Sequence, residues 1–533
     1  MTDAPSDMMR SETTESQPAG ETPAALVAAL LAALGDMVSI DPDRRALFGQ
    51  DCFARGAEPI GIVRPRDITG VQAAVRLCAV AGIAMVPRGG GASYTDGYLH
   101  HGPHMLFDLS GLDMIAIDIA NARVRVGAGV TWAALRDALA VHGLRTRFWG
   151  PFSGLAATVG GSISQNTISH GSGSHGISAQ SVAGIEVVLA DGSLMNTAAS
   201  PATRFYGPDL TGLFTGDCGA LGLKVAVTLP LMAIAPAFEA LSFAFAGFAA
   251  YHAAVGAAVR EELDDSHFSF DQALSQGQIE RQTGLAARLK IARGVLRVAP
   301  SLAAGVQQLV KMAFAGEREL RVAAYTVHYI VEGSSTAEAG AKAARLRQII
   351  APHGVEIANS VPAFVRAMPF APLHNILGPK GERWVPVHGI FPHGQALAFD
   401  AAYDGFIASH RAEMDRLGVW TGKMFSSVGT SALLFEIAIY WPDAHDLYHQ
   451  DALGSAHLAT IPAWPANPEA RAFIDRFKAA LIALMDAHGA AHFQIGRAYP
   501  YQARLDPAAA ALLGAIKTQL DPHGLMNPGV LGL

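Results

Sequence analysis

Arg88 stands immediately before three consecutive glycines, Gly89, Gly90 and Gly91, in the run Val86 to Gly97 (VPRGGGASYTDG). Glycine permits positive φ and lets a backbone approach a ligand closely. Successive N–H groups in such a turn form a concave anion nest, and the guanidinium beside them adds fixed positive charge. The chemistry this suits is the cradling of a pyrophosphate, with a plain structural turn as the alternative for the glycine run taken alone. A second stretch, Gly150 to Gly176 (GPFSGLAATVGGSISQNTISHGSGSHG), is poor in charge and dense in Gly, Ser, Thr and Asn. It is too long for a simple connection. Its small donors and accessible backbone are what a long polar cofactor needs.

The elements around these loops follow from periodicity. Asp67 to Gly82 predicts an amphipathic helix, with Val71, Val75 and Cys78 on one apolar face and Ala74, Leu77 and Ala81 beside it. A short apolar strand, Ile83 to Val86, leads into the glycine run. The chain then heads for another strand, Met105 to Leu109, rather than a helix, so this is not the G-x-G-x-x-G unit of a Rossmann fold. The second stretch enters the apolar strand Val182 to Ala190, the Asp191-Gly192 turn and a return strand, Ser193 to Thr197. Two further glycine-bearing segments are LFTGDCGALGLKVAVTLPL, Leu213 to Leu231, and DPHGLMNPG, Asp521 to Gly529.

Composition narrows the class. The chain has 533 residues, half of them hydrophobic and 16% charged, with a net charge of −7. That suffices for two or three domains and argues against a nucleic-acid binder, which would show a basic face. No unbroken run of 18 apolar residues predicts a spanning helix. Ala240 to Val259 reads as a buried helix, or a strand and a helix. The three cysteines, Cys52, Cys78 and Cys218, are too scattered for a disulfide framework or a metal site, which favours a reducing, cytoplasmic setting. Residues 1–22 are polar and acidic and read as a disordered tail. Order is expected from the helix Pro23 to Leu34. Near the other end, Asp506 and Pro507 begin a last helix that Gly524 follows.

The order and spacing of PRGGGAS (Pro87 to Ser93), ATVGG (Ala157 to Gly161), GIEVVLADG (Gly184 to Gly192), GALG (Gly219 to Gly222) and the DPHGLMNPG tail carry a resemblance. The chain is similar to the FAD-binding domain of the vanillyl-alcohol oxidase / p-cresol methylhydroxylase family. The resemblance implies an α+β fold. A two-part PCMH-type FAD-binding domain spans 23–231. An α+β cap domain with an antiparallel sheet spans 232–492, and 493–533 returns to the FAD domain. It implies one FAD, hydride transfer to the flavin, a small-molecule substrate, and an electron acceptor left open among O2, a cytochrome or a quinone. A homodimer is also left open.

Carried onto this chain, the resemblance gives the cofactor site as Pro87, Arg88, Gly89, Gly90, Gly91, Ala92 and Ser93. It adds Thr158, Gly160, Gly161 and Ser162, then Asn166, Ser169, His170 and Gly171. Ile185 and Val187 fall near the adenine, and Asn527 matches the tail asparagine, with a plain turn-stabilising role as the alternative. Two departures matter. Relatives that attach the flavin covalently use a histidine where Ala92 stands, or a cysteine where Ala156 and Ala157 stand. Non-covalent FAD is therefore expected, with a link from a cap-domain tyrosine or histidine left open.

The substrate end divides the family. Members acting on D-2-hydroxy acids carry a metal-binding histidine pattern. The nearest segment here, Ser426 to Tyr440 (SSVGTSALLFEIAIY), has no histidine, so no metal is expected. His388 and His393 have only weak metal-ligand spacing. The phenol-oxidising branch uses tyrosines and an arginine late in the cap. Here Gln494 to Leu505 (QIGRAYPYQARL) supplies Tyr499, Tyr501 and Arg504 as catalytic candidates, the tyrosines sharing a side if the segment is extended. Interface packing is the alternative for them. The readings carried forward are an FAD oxidoreductase of a CH–OH or benzylic C–H in a phenolic or aromatic substrate, a D-2-hydroxy-acid dehydrogenase, and a flavin-binding subunit without turnover.

Overall fold

The computed structural model describes residues 22–198, 204–281 and 322–533. The tail expected over 1–22 lies outside the described residues except for Thr22, whose hydroxyl caps the helix Pro23–Leu34 by accepting from the Ala25 N–H. The helix Ile68–Ala81 starts at Asp67, whose carboxylate accepts the Gly70 N–H, and stops at Gly82 in the left-handed region. Its apolar face, Val71, Val75 and Cys78, is fully buried. It packs beside a four-stranded sheet in which the strands Ala84–Arg88 and His104–Asp108 run parallel. The glycine run is the connection between these two strands.

A second, six-stranded sheet follows, organised on the long strand Leu223–Ala233, which pairs with Arg123–Gly127 and Gly184–Val188. The return strand Leu194–Asn196 pairs with the latter after the Asp191-Gly192 turn. The two sheets and their helices make one half of the molecule. The other half is built on a seven-stranded antiparallel sheet whose outer segments are Val355–Ile357 and Arg383–Pro392. The stretch Ala240 to Val259 resolves into the strand Ala237–Phe245 and the buried helix Phe248–Val259.

Register on this larger sheet decides which side chains face the first half. Residues alternate between faces along a strand. Val385, Val387, Phe435, Ile437 and Ile439 project into a core roofed by the helices His393–Leu417 and Pro468–Ala487. On the opposite face, Trp384 sits beside Tyr440, and His388 beside Glu436, which in turn neighbours Met424. That face closes over the glycine loops.

The C-terminal segment ties the halves together. Met526 bridges Met85 beside the strand Ala84–Arg88. The fully buried Asn527 donates its amide N–H groups to the carbonyls of Gly97 (2.9 Å) and Cys218 (2.6 Å) and accepts from Arg497. Among the described residues no helix is long and apolar enough to cross a membrane.

Candidate active site

A cavity of about 250 Å³ lies between the two halves and is lined by residues of both. At one end its wall is the segment Pro87 to Ser93 with Thr158, Gly160, Gly161 and Ser162. The closeness of these loops explains the glycines. A Cβ at Gly90 would fall on the Ala156 carbonyl, and one at Gly89 on the Thr158 hydroxyl. Gly91 has φ of +70° and lies against the Arg88 guanidinium. Gly160 packs on Ala128, whereas Gly161 meets only the Thr158 hydroxyl, at 3.2 Å. Arg88 stacks its guanidinium over the Phe48 ring at 3.9 Å, and its Nε is buried with no partner. A trough of close backbone, small hydroxyls and an under-used guanidinium fits the diphosphate and ribityl parts of a dinucleotide.

The structure separates the remaining cofactor candidates. Ser169 lines the cavity; Asn166, His170 and Gly171 do not. Asn166 is the left-handed residue that ends the helix Val159–Gln165. His170 is enclosed by Trp149 and Phe152, with Nε2 2.9 Å from the Pro369 carbonyl, and burial pushes its pKa down to about 4. Ile185 and Val187 are interior residues of the second sheet. Asn527 lies behind the Gly97 loop, where it joins chain segments instead of facing the cavity.

The opposite end of the cavity is aromatic and apolar. Phe152, Ile168, Ile376, Trp384, Met424 and Phe493 line it, with Tyr94, Glu436 and Gln494 as polar members. Glu436 has no hydrogen-bond or ion-pair partner among the described residues, and burial alone raises its carboxyl from 4.5 to about 7. Tyr94 is also pushed up, first by burial and then by the Glu436 charge. Behind Tyr94 stands His388, Nε2 3.5 Å from the Tyr94 hydroxyl. Burial holds His388 down at about 3, so the ring is neutral.

None of Tyr499, Tyr501 and Arg504 reaches the cavity wall. The segment is not extended: Tyr501 is in the right-handed helical region, and its N–H bonds back to the Tyr499 carbonyl. The two rings therefore diverge. Tyr499 is buried beside His388, while Tyr501 packs near Cys218 and Val530. Arg504 is held by Asp486 and the Ala490 carbonyl. His388 and His393 do not converge either, since His393 pairs with His252 at 3.2 Å. Ser427, in the Ser426 to Tyr440 segment, shares a hydrogen bond with His267 Nε2 through its hydroxyl at 3.0 Å, and His267 Nδ1 meets Asp264 at 2.8 Å. This serine–histidine–aspartate array is buried and lines no part of the cavity. Among the described residues no group of three His, Cys, Asp or Glu side chains is placed to hold a metal.

Tyr94, Glu436, Trp384, Met424 and Gln494 were not singled out from sequence. Two left a trace there: Tyr94 directly follows the glycine motif, and Glu436 is the lone charge in an apolar strand.

Comparison with known proteins agrees with this geometry. Residues 59–198 match the FAD binding domain family, so the chain carries an FAD-binding domain there. Glycolate oxidase subunit GlcD of Escherichia coli (strain K12) is 29% identical over 190 residues, 35% of this chain and 37% of that protein. The match thus spans little more than a third of the curated relative. Among solved structures, alkyldihydroxyacetonephosphate synthase aligns over 98% of this chain and 88% of its own, with a TM-score of 0.69 at 14% identity. Substrate-bound p-cresol methylhydroxylase aligns over 96% of both chains, with a TM-score of 0.68 at 16% identity. These likenesses establish the PCMH-type α+β fold.

Proposed function

Starting from an FAD-binding domain closed by a cap, we propose that this chain is an FAD-linked oxidoreductase of a small, uncharged benzylic or other aromatic alcohol. The observation that carries this reading is Glu436, a carboxyl raised to about 7 at the aromatic end of the cavity. Bound in the trough, FAD would supply a two-electron acceptor for hydride. The chain's residues handle the rest. Glu436 takes the proton of the substrate hydroxyl, and its raised pKa suits a base working near neutrality. The Tyr94 hydroxyl donates to the substrate oxygen as negative charge grows on it. Trp384, Phe152, Phe493 and Met424 hold the ring and exclude water. The substrate loses a hydride from carbon and a proton from oxygen and becomes the carbonyl.

The same carboxyl argues against an anionic substrate. A carboxylate or phenolate beside Glu436 would meet like charge in a poorly solvated place. The cations on the cavity wall are Arg88 and Lys224, and Lys224 is already paired with Asp217. This favours the aromatic reading over a D-2-hydroxy acid. The test is anaerobic bleaching of the flavin by benzylic alcohols, alkylphenols, D-lactate and glycolate. Benzylic alcohols should reduce it fastest; fastest reduction by D-lactate or glycolate would refute the assignment. No bleaching by any donor would favour a flavin-binding subunit without turnover.

A further inference from the structure

The buried residues behind Tyr94 form a chain of polar contacts, from Tyr499 through His388 to Tyr94. The Tyr499 oxygen accepts the backbone N–H of His388 at 3.1 Å. Its other polar neighbour is His388 Nδ1, at 3.3 Å. The N–H takes one lone pair of the oxygen and the hydroxyl can donate to Nδ1; the competing partner of the ring is the His388 carbonyl. A neutral imidazole carries one N–H, so donation to Nδ1 places the ring proton on Nε2. That proton faces the Tyr94 oxygen at 3.5 Å. The Gln494 amide stands within hydrogen-bonding reach of both His388 and Tyr94. It can accept from the one and donate to the other. By either route the Tyr94 oxygen receives a proton donor from behind, and its own proton turns toward the cavity.

The geometry points to Tyr499 and His388 as positioning residues that set the Tyr94 hydroxyl as a hydrogen-bond donor to the substrate oxygen. Tyr499 never touches substrate. It selects the His388 tautomer, and the tautomer selects which way the Tyr94 proton points. The surroundings of Tyr499 suit a fixed part. His492 stacks on its ring at a centroid distance of 4.2 Å, anchors Nδ1 on the His388 carbonyl at 2.7 Å, and is held at Nε2 by Asp486. Arg504 pairs with the same aspartate. In the opposite tautomer Nε2 would become an acceptor and draw the Tyr94 proton away from the cavity, leaving a lone pair where the substrate oxygen must sit. The inference rests on the proposed site but can be tested without turnover.

The experiment uses the FAD-loaded protein with 15N-labelled histidine rings, the His388 resonances being those lost in His388→Gln. The unaltered protein should show a neutral ring protonated at Nε2, and Tyr499→Phe should move the proton to Nδ1 or mix the two forms. A proton on Nδ1 in the unaltered protein, or an unchanged tautomer in Tyr499→Phe, would overturn the inference. Anaerobic flavin reduction by a benzylic alcohol supplies a second measurement. Tyr94→Phe should slow it on the order of 10²-fold, as for loss of one oriented donor. Tyr499→Phe should show part of that loss, and the double variant should be no slower than Tyr94→Phe alone. Additive losses would make Tyr499 independent of Tyr94 and overturn the inference as well. If no donor bleaches the flavin, the proposed function fails while the tautomer measurement still decides the positioning role.

Discussion

Glu436→Gln separates a catalytic carboxyl from a merely buried one. The folded protein holds this carboxyl at about 7, against 4.5 for an ordinary glutamate, because its charge is poorly solvated. Below pH 4 both folded and unfolded chains keep the proton, and the group is neutral to stability. Between 4.5 and 7 the unfolded chain releases it and the folded chain does not, so stability falls as pH rises. Above 7 the full penalty is present, on the order of 2–3 kcal/mol at about 1.4 kcal/mol per pKa unit with some allowance for solvent in the cavity. Glutamine cannot ionise and removes the penalty. Urea unfolding should therefore find Glu436→Gln more stable than the parent at pH 8 and nearly equal to it at pH 4. Turnover moves the other way. Flavin reduction by a benzylic alcohol should rise about tenfold from pH 6 to pH 8 as the base ionises, and Glu436→Gln should lose that rise and fall roughly 10²–10⁴-fold. An inflection near pH 7 that survives in Glu436→Gln would refute the assignment of the base. A stability gain equal at pH 4 and pH 8 would refute the raised pKa.

Gly161→Val should weaken FAD binding while leaving the fold intact, since its Cβ meets only the Thr158 hydroxyl and its branches would occupy the trough; overpacking of about 1–3 kcal/mol is roughly 5- to 150-fold in Kd, read by flavin absorbance after dialysis. Gly90→Val is the poorer probe, because it collides with the Ala156 carbonyl and so reports on folding. Acid precipitation should release FAD into the supernatant, as Ala92 cannot bond a flavin methyl group; flavin retained in the pellet would reveal a covalent link. Chelators should leave flavin reduction unchanged, and a stoichiometric metal needed for turnover would overturn that expectation. Tyr501→Phe should change flavin reduction less than threefold, since its ring packs near Cys218 and Val530, away from the cavity.

The glycine trough was legible because its constraints are local. Three adjacent glycines, an arginine before them and a turn between two strands are all short-range features. The structure adds their reason, which is the close passage of the Ala156 to Thr158 backbone beside the loop. Legibility fades where a residue's neighbours come from distant sequence. His170 sits in the same polar stretch as Ser169, yet one faces the aromatic cluster around Trp149 and the other the cavity. Nothing in a Gly- and Ser-rich run marks which way each residue turns. Asn527 shows the same limit. Its place in the tail motif pointed to cofactor or turn, and its partners at Gly97 and Cys218 are 430 and 309 residues away in the chain.

The aromatic end of the cavity was hidden for a different reason. Its side chains come from one face of a sheet whose strands are joined across long separations, so no contiguous motif contains them. Trp384, Glu436 and Met424 share a face only because Arg383–Pro392 pairs with Ala432–Trp441 and that strand with Trp420–Val428, in one particular register. A shift by one residue would send all three into the opposite core. The register is set by that core: Val385, Val387, Phe435, Ile437 and Ile439 must face the helices, and this leaves their alternate neighbours to face the flavin domain. The lone acid in ALLFEIAIY is thus informative on physical grounds. Its charge has no partner among the described residues, and the apolar pattern around it compels it to stay on the cavity face. Tyr499 follows the same logic from the other side: its hydroxyl meets His388, the register neighbour of Glu436 on that face.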